Sequence, residues 1–137
     1  MTQANTHASA SVARSALRVL LVDDDEFQLD LLGEMLKALG VRDVVTAGSG
    51  KDALRHLQSH ASGLHLILLD LHMPGMDGFE FMESAERLGF AGGLIIVSGQ
   101  SDDVIRAATL VARLRRFKLL GSVHKPVERG ALSALIP

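Results

Sequence analysis

Cysteine is absent from the 137 residues, which rules out a disulfide framework, a thiolate metal site and a cysteine nucleophile. That composition fits a reducing compartment. No apolar run reaches the roughly 18 residues that a membrane span needs. Neither sign of charge dominates: 14 Lys and Arg stand against 16 Asp and Glu, a net −2 that calls for neither nucleic acid nor an anionic membrane. The first fifteen residues, MTQANTHASASVARS, lack the basic start and apolar centre of a secretory signal. They are rich in Ala, Ser and Thr without periodicity, so residues 1–16 are expected to form a flexible tail and residues 17–137 one domain.

What remains is ordinary globular composition, 47% hydrophobic and 22% charged, in a chain long enough to bury a core. Short apolar runs at Arg18–Val22, Asp43–Ala47, Leu66–Leu69, Leu94–Val97 and Leu119–Val123 read as strands. Between them the apolar residues fall at helical spacing. The first helix carries Phe27, Leu31, Leu32, Met35, Leu36 and Leu39 and ends at Gly40. Lys51–His60 places Ala53, Leu54 and Leu57 inward, and Phe79–Leu88 carries Phe79, Met82 and Leu88. Asp102 is the expected N-cap of a helix with Val104, Ala107, Ala108, Val111 and Leu114, and Val127–Ile136 is the last helix. Five alternations of strand and helix imply an α/β fold, a doubly wound parallel sheet of flavodoxin-like (βα)5 type with strand order 2-1-3-4-5.

In such a sheet ligands bind beyond the carboxyl ends of the strands. Strand one ends in Asp23, Asp24 and Asp25, and strand three in Asp70. Strand four ends in Ser98 and Gly99, and strand five in His124, Lys125 and Pro126. Strands 1, 3, 4 and 5 are neighbours in the expected order, so these groups share one edge. Aspartates crowded together call for a cation, and oxygen ligands favour a hard one such as Mg²⁺. A lysine and a small hydroxyl would serve an anion. The set suits phosphoryl transfer onto a carboxylate.

Here the chain resembles the receiver domain of two-component response regulators. The resemblance covers residues 18–136 and rests on VLLVDDDEF, LILLDLHMPGMDGFEFM, LIIVSGQ and VHKPV, in order and at the expected strand ends. It implies that Asp70 is the phosphoacceptor. It makes Asp24 the direct ligand of Mg²⁺ (or Mn²⁺), Asp23 the holder of its waters, and the backbone carbonyl of His72 a further ligand beside Asp70. Ser98 would hydrogen-bond the phosphoryl group, Lys125 would pair with it, and Gly99 would leave room beside it. Lys125–Pro126 would be cis; Pro74, Gly75 and Gly78 would shape the loop. The implied partners are a sensor histidine kinase or phosphotransfer protein and an output domain or protein reached through the helix 4/strand 5 face. Homodimerisation through that face, a cytoplasmic location and no direct contact with nucleic acid or membrane go with this reading. The domain is expected to catalyse only its own phosphorylation and dephosphorylation.

Two departures stand out. The family often carries Tyr or Phe three residues before the lysine, where this chain has Ser122. The basic, leucine-rich stretch LVARLRRFKLLGSV, residues 110–123, resembles more loosely the receivers joined to EAL cyclic-di-GMP phosphodiesterase domains. The chain is therefore expected to be the N-terminal piece of a longer regulator, with a stand-alone receiver or phosphate sink as the rival. An aspartyl phosphohydrolase would need a second acid two residues past Asp70, where His72 stands.

Other features have plainer readings. Asp25 and Glu26 suit a helix N-terminus, and Asp77 beside Gly78 suits a turn. GSGK at residues 48–51 fails the phosphate-loop pattern at Val45 and Asp52 and reads as a helix start. His56 and His60 lack a third ligand, and Arg113, Arg115, Arg116 and Lys118 complement a helix C-terminus.

Overall fold

A computed structural model describes residues 13–60 and 63–137. Its strands are β1 (Arg18–Val22), β2 (Asp43–Ala47), β3 (Leu66–Asp70), β4 (Gly93–Ser98) and β5 (Lys118–His124). All pair in parallel in the order β2-β1-β3-β4-β5, as expected. The helices are α1 (Glu26–Ala38), α2 (Gly50–His60), α3 (Gly78–Arg87), α4 (Asp102–Leu114) and α5 (Arg129–Leu135). Among the described residues no helix is long and apolar enough to cross a membrane.

Strand alternation divides the core into two layers. Leu20, Val22, Ile67, Leu69, Leu94 and Ile96 face one layer, which α2, α3 and α4 cover with Leu57, Phe81 and Ala108. Val19, Leu21, Leu66, Leu68, Ile95 and Val97 face the other, closed by Leu32 and Leu36 of α1 and Leu132 of α5. Full burial of β3 and β4 explains their unbroken apolar runs.

The helices exist where periodicity places them, but several are rotated from the expected faces. Phe27 is 68% exposed, and Leu29 takes the buried place near the start of α1. Phe81 and Ala85 join Met82 in the core, while Leu88 lies outside. In α4 the buried residues are Ile105, Ala108 and Ala112, with Val104 and Val111 at the margin, Ala107 exposed and Leu114 exposed. The small Ala residues let α4 lie close to β4 and β5, turning the larger leucines to solvent. Asp102 is the first helical residue; Ser101 occupies the N-cap, without a side-chain cap bond.

The tail expectation also changes at its inner end. Residues 1–12 lie outside the described residues, but Arg14–Ala16 form a 3-10 turn. The Arg14 guanidinium donates to the carbonyls of Leu39, Ser133, Ile136 and Pro137 and to Ser133 Oγ. It thereby ties the C-terminal ends of α1 and α5 together.

Candidate functional site

Each polar group of the site follows the last apolar residue of a strand, so the sheet itself delivers it to the carboxyl edge. Asp23 follows Val22, and its N–H donates to Ala47 O at 3.1 Å, extending the β1–β2 pairing. Asp23 Oδ1 accepts the N–H of Asp25 at 2.9 Å, which turns the chain into α1. Asp25 caps α1 through Phe27 N–H. Asp70 ends β3 opposite Val97 and is 4% exposed; Asp23 is 2% exposed.

Asp23, Asp24 and Asp70 each place a carboxylate oxygen within 4.8 Å of the others. Lys125 enters from the end of β5, with Nζ 2.8 Å from Asp23 Oδ2 and 3.5 Å from Asp70 Oδ1. The nearer contact pairs the ammonium with an Asp23 oxygen that is itself buried. The Lys125–Pro126 peptide is cis. One ammonium thus serves two buried carboxylates with a third beside them.

The electrostatics reflect that imbalance. Burial, and then the Asp23 charge, hold the Asp70 carboxyl above its ordinary value; the Lys125 ammonium and the His72 N–H oppose the rise. Burial alone would lower the Lys125 ammonium, but its contacts with Asp23 and Asp70 outweigh this and raise it. Three oxygen donors short of positive charge suit a hard divalent cation.

Ser98 closes the other side and is fully buried. Its Oγ accepts the N–H of Gln100 at 2.9 Å, and its carbonyl accepts the N–H of Lys125 at 3.0 Å. The β3–α3 loop is held by a long His72 N–H to Asp70 Oδ1 contact of 3.4 Å, and the His72 side chain is exposed. Asp77 does more than turn the chain: with Glu80 it forms a reciprocal capping box on α3. Gly78 is required there, because a Cβ would meet Leu71 Cα at 2.9 Å. A Cβ on Gly99 would meet nothing within 4 Å.

Ser122 lies apart from the carboxylates, exposed on β5 beside Val123, His124 and Pro126 in a shallow cleft of about 310 Å³. His124 Nε2 approaches Asp102 Oδ1 at 3.4 Å, a link between β5 and the start of α4 that sequence spacing does not reveal. At residues 48–51 Ser49 Oγ accepts the Asp52 N–H and starts α2, as its plainer reading expects. The His60 side chain lies outside the described residues.

The chain is similar to known proteins. The family model described as "Response regulator receiver domain" matches residues 19–136. The chain belongs to the response regulator receiver family. It is 43% identical over 67 residues to the two-component response regulator ARR11 of Arabidopsis thaliana, covering 49% of this chain and 13% of that one. It is 30% identical over 121 residues to the cyclic di-GMP phosphodiesterase RocR of Pseudomonas aeruginosa, covering 88% of this chain and 30% of RocR. A solved response regulator receiver protein from Pseudomonas putida superposes with a TM-score of 0.73 at 26% identity, covering 91% of this chain and 97% of the other. This receiver chain spans under a third of the length of either curated relative.

Proposed function

We propose that this receiver is a phosphorylation-driven switch in which Asp70 accepts a phosphoryl group. The observation that carries the reading is the buried Asp70 carboxylate, with Lys125 Nζ 3.5 Å away and two further carboxylates beside it. The donor would be the phosphohistidine of a sensor histidine kinase or phosphotransfer protein. The ionised Asp70 attacks phosphorus in line, and the O–P bond forms as the P–N bond breaks. Mg²⁺ or Mn²⁺, held by Asp23, Asp24, Asp70 and the carbonyl of His72, would neutralise phosphoryl oxygens when bound. Lys125 is placed to pair with the same oxygens, and Gly99 leaves space on that side.

Ser98 reports the new group. Its hydroxyl donates to a phosphoryl oxygen and moves away from the Gln100 N–H that it accepts here, which frees the segment leading into α4. The equilibrium of the α4 and β5 surface then shifts toward the form that an output domain or protein recognises. Ser122 offers no ring to move, so the α4 segment and the His124–Asp102 contact carry the change. The likeness to RocR favours a cyclic-di-GMP phosphodiesterase as the output.

Incubation with acetyl phosphate and Mg²⁺, read by intact mass, tests the assignment. The expected result is one phosphoryl adduct on the wild type and none on Asp70→Asn. No adduct on the wild type refutes it.

A further inference from the structure

Three helices of this chain stop in the same way. After α1, Gly40 N–H donates to Lys37 O and Val41 N–H to Leu36 O. After α3, Gly89 donates to Glu86 O and Phe90 to Ala85 O. After α4, Arg116 donates to Arg113 O and Phe117 to Ala112 O. Each stop pivots on a residue with left-handed backbone. Gly40 and Gly89 occupy that pivot at φ 97° and 88°; Arg116 occupies it at φ 67° and is the sole non-glycine residue with positive φ among those described. A Cβ is penalised in this region and glycine would relieve it. Arginine in glycine's place points to a use for its side chain.

The surroundings indicate the use. Arg116 lines an open cleft of about 480 Å³ with Glu86, Phe90, Ala91 and Leu114, between the α3–β4 loop and the end of α4. Glu86 is already engaged by Arg115 at 2.9 Å. Arg113, Arg116 and Lys118 have no carboxylate partner among the described residues. Leu110 and Leu114, one helical turn apart, are 60% and 74% exposed.

We propose that this corner of α4 is a docking surface for an acidic amphipathic helix of a partner protein. Apolar side chains one turn apart would cover Leu110 and Leu114 and enter the cleft, while flanking carboxylates meet Arg113 and Arg116. A second copy seated on the same face would set these arginines against each other. Nucleic acid would answer the arginines but leave the leucines uncovered. The inference deepens the output reading above by giving the partner's chemistry, and rests on it only for the partner's place downstream of Asp70.

The test titrates the full chain into a fluorescein-labelled synthetic helix bearing leucines one turn apart flanked by Glu, followed by anisotropy. Its Lys-for-Glu counterpart and a random-sequence DNA duplex run alongside. Only the Glu helix should bind, and Arg116→Gly should weaken it about tenfold while melting at the same temperature as the wild type or higher. Leu114→Ser should also weaken binding. No binding of the Glu helix, equal binding of the Lys helix, or unchanged affinity in Arg116→Gly would overturn the proposal. So would binding of the duplex instead, or sedimentation as a dimer that Arg116→Gly disperses. Phosphorylation at Asp70 would set how much of the chain presents this surface and not the surface's chemistry. The readouts are therefore taken without a phosphoryl group, and their failure is distinct from failure of the Asp70 adduct.

Discussion

The two ends of the sheet handle charge in opposite ways. At the amino ends of the strands, the Arg14 guanidinium donates to four carbonyls and one hydroxyl, against the C-terminal ends of α1 and α5. The helix dipoles favour positive charge there, and every acceptor it meets would otherwise face water or nothing. At the carboxyl ends, the single ammonium of Lys125 is shared between Asp23 and Asp70, with the Asp24 carboxylate beside them. One end is satisfied by the chain itself; the other is left short of positive charge. Stability is built where the network is complete, and a site is left where it is not.

The largest test of that contrast is Lys125→Ala, which strands two buried carboxylates and should cost about 3 kcal/mol in urea unfolding without divalent metal. A loss as small as that of a surface charge would mean that water already compensates the site. Arg14→Ala should cost about 2 kcal/mol, because several acceptors lose a charged donor at once. Hydrogen exchange should locate the loosening at α5 and the end of α1, and an unchanged α5 would break the comparison from the other side.

Asp70→Asn should act in the opposite direction and stabilise the metal-free protein by about 1 kcal/mol at neutral pH. The folded-state value of Asp70 is raised above its ordinary 3.8, so the folded state holds that proton more tightly than the unfolded chain. Its contribution to stability therefore falls as pH rises through that range, and the advantage of the Asn variant should vanish on acidification below about 3.8. Mg²⁺ should reverse the ranking by stabilising the wild type more than the variant. The smallest effect is expected for His124→Ala. Its contact with Asp102 is mostly exposed, so the change in stability should stay under about 0.5 kcal/mol, while phosphorylation-dependent shifts at the start of α4 diminish.

Much of the site was legible because its residues are punctuation. Asp23, Asp70, Ser98 and Lys125 each break or follow an apolar strand run, and a parallel sheet brings such breaks to one edge. What did not show was how the groups pair. The approach of Lys125 to Asp23 spans most of the chain, and nothing local marks it. Phe27 and Leu114 fit a helical period as well as Leu29 and Ala112 do, yet the former are exposed and the latter buried. Arg116 hid inside a basic run because helix-stop pivots are recognised by glycine, and this one lacks it. Arg14 hid in a stretch with no pattern, since a long side chain can reach across several elements without any periodicity.

The sequence by itself determined the number and order of the strands and α-helices and which residues would end each strand. Those properties follow from local backbone preference and from the spacing of apolar side chains, which act over a few residues. Only the tertiary structure decided which helix faces turn inward, which carboxylate Lys125 approaches more closely, what Arg14 holds together and where Arg116 stands. These depend on side chains meeting across long separations in a close-packed core, where volume and charge must be satisfied at once.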